Sequence, residues 1–247
     1  MSLAVRGRPP TAESASMSRR LTILAAVVAA ASSASPIAAQ SVLVDEGTFS
    51  VTRNGKAAGT EEFTIRRAGM GNDAVVISSG VIRLDGPDGK VELRPLLETV
   101  VPDGAASSYQ LKVAGAQSAE LSLALAGRRY VSRIRTDAGE EEREFVARPE
   151  TRIVEEGVAH HYYFLRDARE GSKVPVIEPR TRRQFQLTVS PATDEEIRIG
   201  SVRVQAHRVT FAGGDADRTV WFDRQGRVLR VEIPGRGYVA ERQDLVG

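Results

Sequence analysis

The chain alternates apolar and polar residues over most of its length from Gly47 onward. A period of two is typical of β-strands that bury one face and expose the other. Asn54-Gly55 lies between two such segments and predicts a hairpin, because both residues of this turn must tolerate positive φ. About a dozen short strands, separated by Gly-, Asp- and Pro-rich turns, fit this pattern. We therefore expect a mainly β fold built as an antiparallel sheet, a barrel or a sandwich.

Residues 158–169 are the segment whose spacing predicts a helix. Tyr162 and Leu165 fall on one stripe of this helix, and Gly171 provides a natural stop after it. A helix of about three turns is not stable alone. We therefore expect its apolar stripe to pack on the sheet.

The segment 202–211 changes its apolar face part-way along. Val204 and Ala206 share one face of an extended strand, whereas Val209 and Phe211 belong to the opposite face. A β-bulge near His207 explains the change, and so does a strand buried on both sides. We prefer the bulge.

Residues 1–39 follow the order of a secretory signal peptide. Two arginines precede the apolar run 21–31, and small residues then lead to Ala39. This order predicts cleavage after Ala39 and a periplasmic or secreted protein. The eleven-residue run is shorter than the about 20 residues that span a bilayer. An uncleaved membrane anchor is the alternative.

The remaining boundaries follow from this leader. Residues before Met17 add nothing to the signal pattern, so we expect translation to begin at Met17. Residues 40–247 contain no linker and no long low-complexity tract, which predicts a single β-rich domain without a membrane span.

Charge and composition narrow the function classes. The 247 residues include 34 basic and 32 acidic side chains, of which four and one lie in residues 1–39. The mature domain is thus left with 30 basic and 31 acidic groups, a net charge of −1. Such a domain is not expected to bind nucleic acid. The absence of cysteine excludes disulfides, thiolate metal sites and a cysteine nucleophile.

No catalytic motif stands out in the sequence. The serine-hydrolase elbow, the Ser-x-x-Lys pair and the glycine-rich phosphate loops are absent. His160 and His161 are adjacent on the predicted helix and therefore point about 100° apart, which is poor geometry for one metal ion. We expect no metal and no cofactor. A hydrolase would need His160, His161 or His207 beside a carboxylate.

Acidic runs are expected to be solvated strand ends. Glu61-Glu62 and Glu155-Glu156 lie beside turns and alternate with arginine, which is typical of exposed positions. Asp215 and Asp217 lack the further oxygen ligands that calcium requires, so we expect a solvated hairpin tip there.

Aromatic residues provide the candidate ligand site. They concentrate in the predicted helix and in a late strand, where Trp221 and Phe222 must face opposite sides of the sheet. Core packing is their usual role. For a ligand site, the predicted lining residues are Tyr162, Tyr163, Phe164, Leu165 and Trp221.

The order of elements resembles a known group of proteins. An opening hairpin with an Asn-Gly-Lys turn and Gly59 is followed by a β-meander, a short aromatic helix ending near Gly171, and a closing Trp221-Phe222-Asp223 strand. This order resembles uncharacterised families of secreted bacterial proteins whose fold is similar to the lipoprotein carriers of the Gram-negative periplasm. The resemblance implies a curved antiparallel sheet, an unclosed barrel, with one short helix on its concave apolar side.

Two functions follow as hypotheses. The first is a periplasmic protein that shelters a lipid or other hydrophobic ligand in the half-barrel, with the helix as a lid. The second is a non-enzymatic envelope scaffold that meets a protein partner through an edge strand. An apolar cavity of a few hundred Å³ would favour the first hypothesis, and a filled core would favour the second.

Overall fold

A computed structural model describes residues 41–86, 89–101, 104–115 and 117–245. These residues all belong to one compact unit. The predicted leader, with its start at Met17 and its cleavage site after Ala39, lies outside them. None of the helices in the described ranges combines the length and the hydropathy needed to cross a bilayer.

The described residues form sixteen β-strands in one continuous curved sheet. In chain order the strands are β1 (Val42–Arg53), β2 (Lys56–Ala68), β3 (Val75–Gly86), β4 (Gly89–Val100), β5 (Ala106–Ala114), β6 (Ala119–Ala126), β7 (Arg129–Thr136), β8 (Gly139–Val146), β9 (Arg152–Ile153), β10 (Lys173–Glu178), β11 (Arg183–Val189), β12 (Thr193–Ile199), β13 (Val202–Ala212), β14 (Arg218–Phe222), β15 (Val228–Ile233) and β16 (Tyr238–Arg242). Hydrogen-bonded neighbours run β8-β7-β6-β5-β4-β3-β2-β1-β16-β15-β14-β13-β11-β10-β9, and β12 pairs with β13. The strand pairs are antiparallel apart from the short β9–β10 pair.

The predicted fold class is confirmed: the protein is mainly β, with one curved, unclosed sheet. The opening hairpin turns at Asn54 and Gly55, whose φ angles are 50° and 74°, as the Asn-Gly pair predicted. Alternate residues of the strands point to the concave side and form the main core, in which Phe49, Phe63 and Tyr109 are fully or almost fully buried. The terminal strands β8 and β9 of this order do not pair with each other.

Side chains bridge the opening between β8 and β11. The Gln184 side-chain amide donates to the Val146 carbonyl at 2.7 Å and accepts from the Val146 N–H at 3.2 Å. Arg182, on the turn before β11, pairs with Glu141 of β8 at 2.5 Å. These contacts hold the barrel-like curvature where the backbone ladder is interrupted.

A segment that we call the cover segment, residues 155–172, crosses the concave face. It contains a six-residue 3₁₀-helix, His160–Leu165, where the sequence predicted about three turns of helix over 158–169. Arg152 donates from Nε to the Phe164 carbonyl at 2.9 Å and so occupies the acceptor that an α-helix would give to Ala168. The helix is shorter and tighter than predicted, and all six of its side chains are buried, rather than those of a single stripe. Two further single 3₁₀ turns are Gly71–Asp73 and Pro234–Arg236.

The preferred bulge near His207 is wrong. The register of β13 runs without a shift from Val202 to Arg208 against β12 and from His207 to Phe211 against β14. Phe211 lies in the concave core, whereas Ala206 packs with Trp221 and Leu229 in a second apolar cluster on the other face of the sheet. The strand is regular, and its two halves bury opposite faces.

Candidate functional site

A cavity of about 600 Å³ opens at one end of the sheet, which we call the open end. This end is formed by the start of β1, the turns after β2, β4 and β6, the end of β8, and residues 166–173. The cavity walls come from strands and from the cover segment together. They include Val44, Val76, Val100, Tyr163, Phe164 and Val174.

The sheet side of the cavity is set by register. Arg67 of β2 pairs with Val76 of β3, which pairs with Thr99 of β4, so the three side chains form one row across the strands. The opposite side is aromatic, because the rings of Tyr163 and Phe164 lie 5.3 Å apart at 88° to each other. Only 5% and 7% of these two residues is exposed. The cavity therefore has a fixed floor rather than mobile side chains.

Basic side chains line the cavity mouth. The guanidinium of Arg166 lies 3.8 Å from the centre of the Tyr163 ring and pairs with Asp167 at 3.2 Å. Arg67, Arg169 and Lys173 are exposed and form no ion pair with any described residue. The five basic lining residues outnumber the two acidic ones, Glu150 and Asp167. An anionic group is therefore favoured at this mouth.

Glu61 of β2 fastens the cover segment to the sheet. Its carboxylate accepts the backbone N–H groups of Ala159 and His160, each at 2.7 Å, and its Oε1 also lies 2.7 Å from Nδ1 of the His160 ring. Both side chains are completely buried. A carboxylate that can accept three hydrogen bonds fits this site better than any neutral side chain.

A second buried group lies next to this anchor. His161 accepts the Glu155 N–H at Nδ1 over 3.3 Å, and the Glu155 carboxylate accepts from Nε of Arg180 at 3.1 Å. Burial lowers the pKa of His161 well below its usual value, and the adjacent His160 lowers it further. Burial also raises the pKa of Glu155, an effect that Arg180 only partly offsets. The imidazole of His161 is therefore neutral near neutral pH.

These residues correct the expectation that the acidic runs are solvated. Glu61 and Glu155 are buried, although their neighbours Glu62 and Glu156 are at least partly exposed. Glu61 shares the parity of Phe63 and Ile65 on β2, so it must point to the concave side. Its burial could have been predicted from that alternation.

His160 and His207 lie beside carboxylates, as a hydrolase would require, whereas His161 accepts only a backbone N–H, and two of the three histidines are buried. The rings of His160 and His161 are fully buried, and no described residue provides a hydrogen-bond partner for either Nε2 atom. His207 pairs with Asp194 at the surface. Within the described ranges, no group of three or more potential metal ligands occurs. The two buried histidines thus serve to hold the cover segment.

The opposite end of the sheet is closed by paired charges. Glu178 is 1% exposed and accepts hydrogen bonds from Thr181, Arg183 and Arg236. Burial raises the pKa of Glu178, but these donors outweigh it and bring the pKa below its usual value. Asp215 pairs with Arg236 at 2.7 Å and with Arg183 at 3.1 Å. The arginines around Glu178 and Asp215 are thus paired, whereas Lys56 and Lys90, at the turns of this end, are exposed and form no ion pair with a described residue.

The five predicted site residues do not form one site. Tyr162, Tyr163, Phe164 and Leu165 lie together in the main core, and of these Tyr163 and Phe164 line the cavity. Trp221 lies in the second cluster, on the other face of the sheet, where its Nε1 donates to Glu195 at 2.6 Å.

The basic residues of the cavity were missed by sequence reasoning. Arg67, Arg152 and Lys173 lie on three different strands, and only tertiary folding brings them to one opening. Arg169 was placed at the end of the predicted helix without a role. No local spacing in the sequence marks these residues as a set.

Comparison with known proteins adds one structural likeness. No protein-family model matches the chain, and no curated protein matches it in sequence. The chain is similar to the crystal structure of a beta-barrel-like protein of domain of unknown function DUF1849 from Brucella abortus, with 10% sequence identity and a TM-score of 0.43. The likeness covers 80% of this chain and 94% of that one.

Proposed function

We propose that the protein binds a small amphiphilic molecule with an anionic head group in the cavity at the open end. The observation that carries this proposal is an apolar wall, with Tyr163 and Phe164 as its floor, that ends at a mouth rich in arginine and lysine. Cavities of roughly 300–1,000 Å³ are typical of small-molecule sites. The centre of the half-barrel is filled by core side chains, so we place binding at this end and not within the core.

We expect the hydrophobic effect to bind the chain of the ligand and electrostatic attraction to bind its head group. Each methylene that leaves water for the apolar wall contributes about 0.8 kcal/mol. The head group would meet Arg67, Arg169 and Lys173, whose side chains are not already engaged in ion pairs with described residues. This division favours a single-chain fatty acid or alkyl phosphate over a neutral lipid. The signal pattern of residues 1–39 supports the further proposal that the protein acts outside the cytoplasm.

Binding is tested with soluble probes of matched chain length. Calorimetric titration with dodecanoate, dodecyl phosphate and dodecyltrimethylammonium should show binding of both anions and at least about tenfold weaker binding of the cation. Lys173→Glu should weaken binding of the anions, and Lys90→Glu, an exposed lysine near the β3–β4 turn at the other end of the sheet, is the matched control. Equal affinity for anion and cation would refute the role of the basic mouth.

Two further variants locate the ligand. Val76→Phe places a larger side chain in the cavity and should abolish binding of both anions, while a β-type circular dichroism spectrum shows that the variant is folded. Trp221→Phe alters the second apolar cluster and should leave affinity unchanged. If Trp221→Phe lost binding and Val76→Phe retained it, the ligand would lie at the second apolar cluster and not in the cavity, and the proposal would be refuted.

The scaffold alternative is supported by a different observation. Strand β8 is the terminal strand of the sheet, and seven of its eight residues are exposed. An extended peptide could add to the edge of residues 139–145, next to the Val146 groups that Gln184 occupies, through main-chain hydrogen bonds. The main-chain groups of Glu144 face the same free edge as those of Val146, since the two residues share one parity in β8. Replacing Glu144 with proline would block this pairing without touching the cavity, so the partner recovered by cross-linking in the cell envelope should disappear.

A further inference from the structure

Exposed apolar side chains concentrate at the open end. Of the eight large apolar residues that are exposed in the described part of the chain, seven lie at this end, and the eighth, Leu96, lies in mid-strand. The register places them there, because Val75 pairs with Val100 and Leu125 pairs with Tyr130, next to the last residues of β8. The seven are Val42, Leu43, Val44, Met70, Val100, Leu125 and Val146.

These side chains form an arc along the rim of the curved sheet. Met70, on the turn after β2, is 88% exposed, and Val42, at the start of β1, is 63% exposed. Isolated apolar residues at a surface need no explanation, but a group gathered at one end indicates an interaction surface. We call this arc, with the charged side chains beside it, the rim.

The rim is also the basic part of the molecule. Its described segments, 42–44, 66–73, 100–101, 104–105, 125–129, 146–152 and 166–173, contain nine basic and four acidic residues, a net charge of +5. Residues 40–247 as a whole carry 30 basic and 31 acidic groups, a net charge of −1. The remainder of residues 40–247 is therefore negative by six charges.

The rim cations are available to a partner. Six exposed basic side chains of the rim form no ion pair with any residue that the structure describes. They are Arg66, Arg67, Arg128, Arg148, Arg169 and Lys173. At the other end of the sheet, the arginines around Glu178 and Asp215 are paired with these carboxylates. Because these six side chains are not used in ion pairs with described residues, their positive charge is available to an anionic partner.

We propose that the rim docks on the surface of an anionic lipid bilayer. Apolar side chains such as Met70 would enter the boundary between head groups and acyl chains, while the surrounding arginines and lysines meet lipid phosphates. A second copy of the chain is disfavoured as the occupant, because pairing two rims would bring two charges of +5 together. A bilayer supplies both the apolar depth and the negative charge that this surface matches.

Docking in this orientation turns the cavity mouth toward the lipid. The mouth and the rim share Val44, Arg67, Val100, Arg169 and Lys173. An amphiphile could then pass between bilayer and cavity without full exposure of its chain to water. The docking surface itself does not depend on what the cavity holds.

Vesicle co-sedimentation of the compact unit Ala38–Gly247 tests the proposal. The protein should sediment with phosphatidylcholine vesicles that contain phosphatidylglycerol, should remain in solution with pure phosphatidylcholine, and should be released by high salt. Arg66→Gln and Arg128→Gln should each weaken binding about fivefold. The double variant Val42→Ser, Met70→Ser should abolish it. Lys90→Gln and Leu96→Ser are the matched controls away from the rim and should bind as the parent does.

The outcomes separate this proposal from the cavity ligand. Because Met70 and Arg128 do not line the cavity, their variants should still bind dodecanoate with the parent affinity. Undiminished vesicle binding by the Val42→Ser, Met70→Ser protein would overturn the docking surface. So would a dimer in light scattering that this double variant dissociates, since the rim would then be a contact between copies of the chain.

Discussion

The substitution Glu61→Gln tests what holds the cover segment in place. Glutamine has nearly the same shape as glutamate, but one of its terminal groups is an amide that donates hydrogen bonds. The Glu61 carboxylate faces donors on both oxygens: Ala159 N–H on one, and the His160 N–H and ring on the other. In either orientation of the glutamine side chain, its NH₂ group therefore faces a hydrogen-bond donor of Ala159 or His160. The change removes this fit with little change in volume.

The expected loss follows from the three contacts. A buried donor without an acceptor costs about 1–3 kcal/mol, and two bonds that lose a charged acceptor weaken by about 1 kcal/mol each. The neutral amide avoids the free-energy cost of burying a charged carboxylate, and this gain offsets part of the loss. We therefore expect Glu61→Gln to lower the free energy of unfolding by about 3 kcal/mol. In a domain of this size, such a loss lowers Tm by about 10 °C.

Urea unfolding followed by circular dichroism measures this loss, with Glu62→Gln as the matched control. Glu62 is the next residue, but its side chain is 61% exposed and pairs at the surface with Arg83, whose side chain is 52% exposed. Such a pair contributes about 1 kcal/mol at most. Equal and small losses for the two variants would refute the view that Glu61 anchors the cover segment.

Two further predictions concern the buried imidazole and the opening hairpin. Burial holds the pKa of His161 in the folded protein below its usual value. As pH falls through about 6.5, the imidazole is therefore protonated in the unfolded chain but not yet in the folded one. The free energy of unfolding then declines by about 1.4 kcal/mol per pH unit until the pKa of the folded state is reached. His161→Asn, whose side-chain oxygen can accept the Glu155 N–H, should remove this slope in unfolding curves recorded between about pH 4.5 and 7.5, and an unchanged slope would contradict it. Gly59→Ala should cost about 3 kcal/mol or more, because its φ is +148° and a Cβ there would lie 1.9 Å from the Arg83 carbonyl oxygen. A Cβ at Gly55 would have open space around it, so Gly55→Ala should lower the free energy of unfolding by only about 1 kcal/mol, as measured by thermal unfolding. Equal losses for the two variants would show that contact with the Arg83 backbone is not the cause of the Gly59→Ala effect.

The fold was more predictable from the sequence than the site. Alternation along β2 and the Asn54-Gly55 turn predict the opening hairpin, because side-chain direction and turn geometry are local properties. The same alternation places Glu61 on the concave side with Phe63, but an acidic pair beside a turn was interpreted as solvated. Its three donors come from a segment almost a hundred residues away, and no local pattern shows that such partners exist.

The length and the position of the cover segment could be predicted only in part. Its apolar stripe predicted packing on the sheet, which the structure shows. Its 3₁₀ form depends on Arg152, which takes the Phe164 carbonyl from outside the segment. In β13, the change of face was read from the sequence, but the cause is a second cluster around Trp221 rather than a bulge. Both differences arise from tertiary contacts that override local periodicity.

The anchors of the cover segment bear on how a ligand would reach the cavity. The sequence suggested a helix that acts as a lid. Glu61 and Arg180 tie the first part of the segment to the sheet and its neighbouring loop, and the Gly171 N–H donates to the Val189 carbonyl at 2.9 Å at its other end. Lifting the segment would expose these buried polar groups and the core beneath them together.

A ligand is therefore expected to exchange through the open end, with the cover segment in place. Residues 166–170 lie at the entrance there, where Asp167, Arg169 and Glu170 are exposed. This separates two functions within one segment: residues 155–165 act as a fixed floor, and residues 166–170 form part of the entrance. Stabilising the floor should leave the exchange rate unchanged, whereas cross-linking the entrance to β2 through Arg67→Cys and Arg169→Cys should slow release of a bound amphiphile. If the disulfide forms and release is not slowed, the route does not pass this entrance.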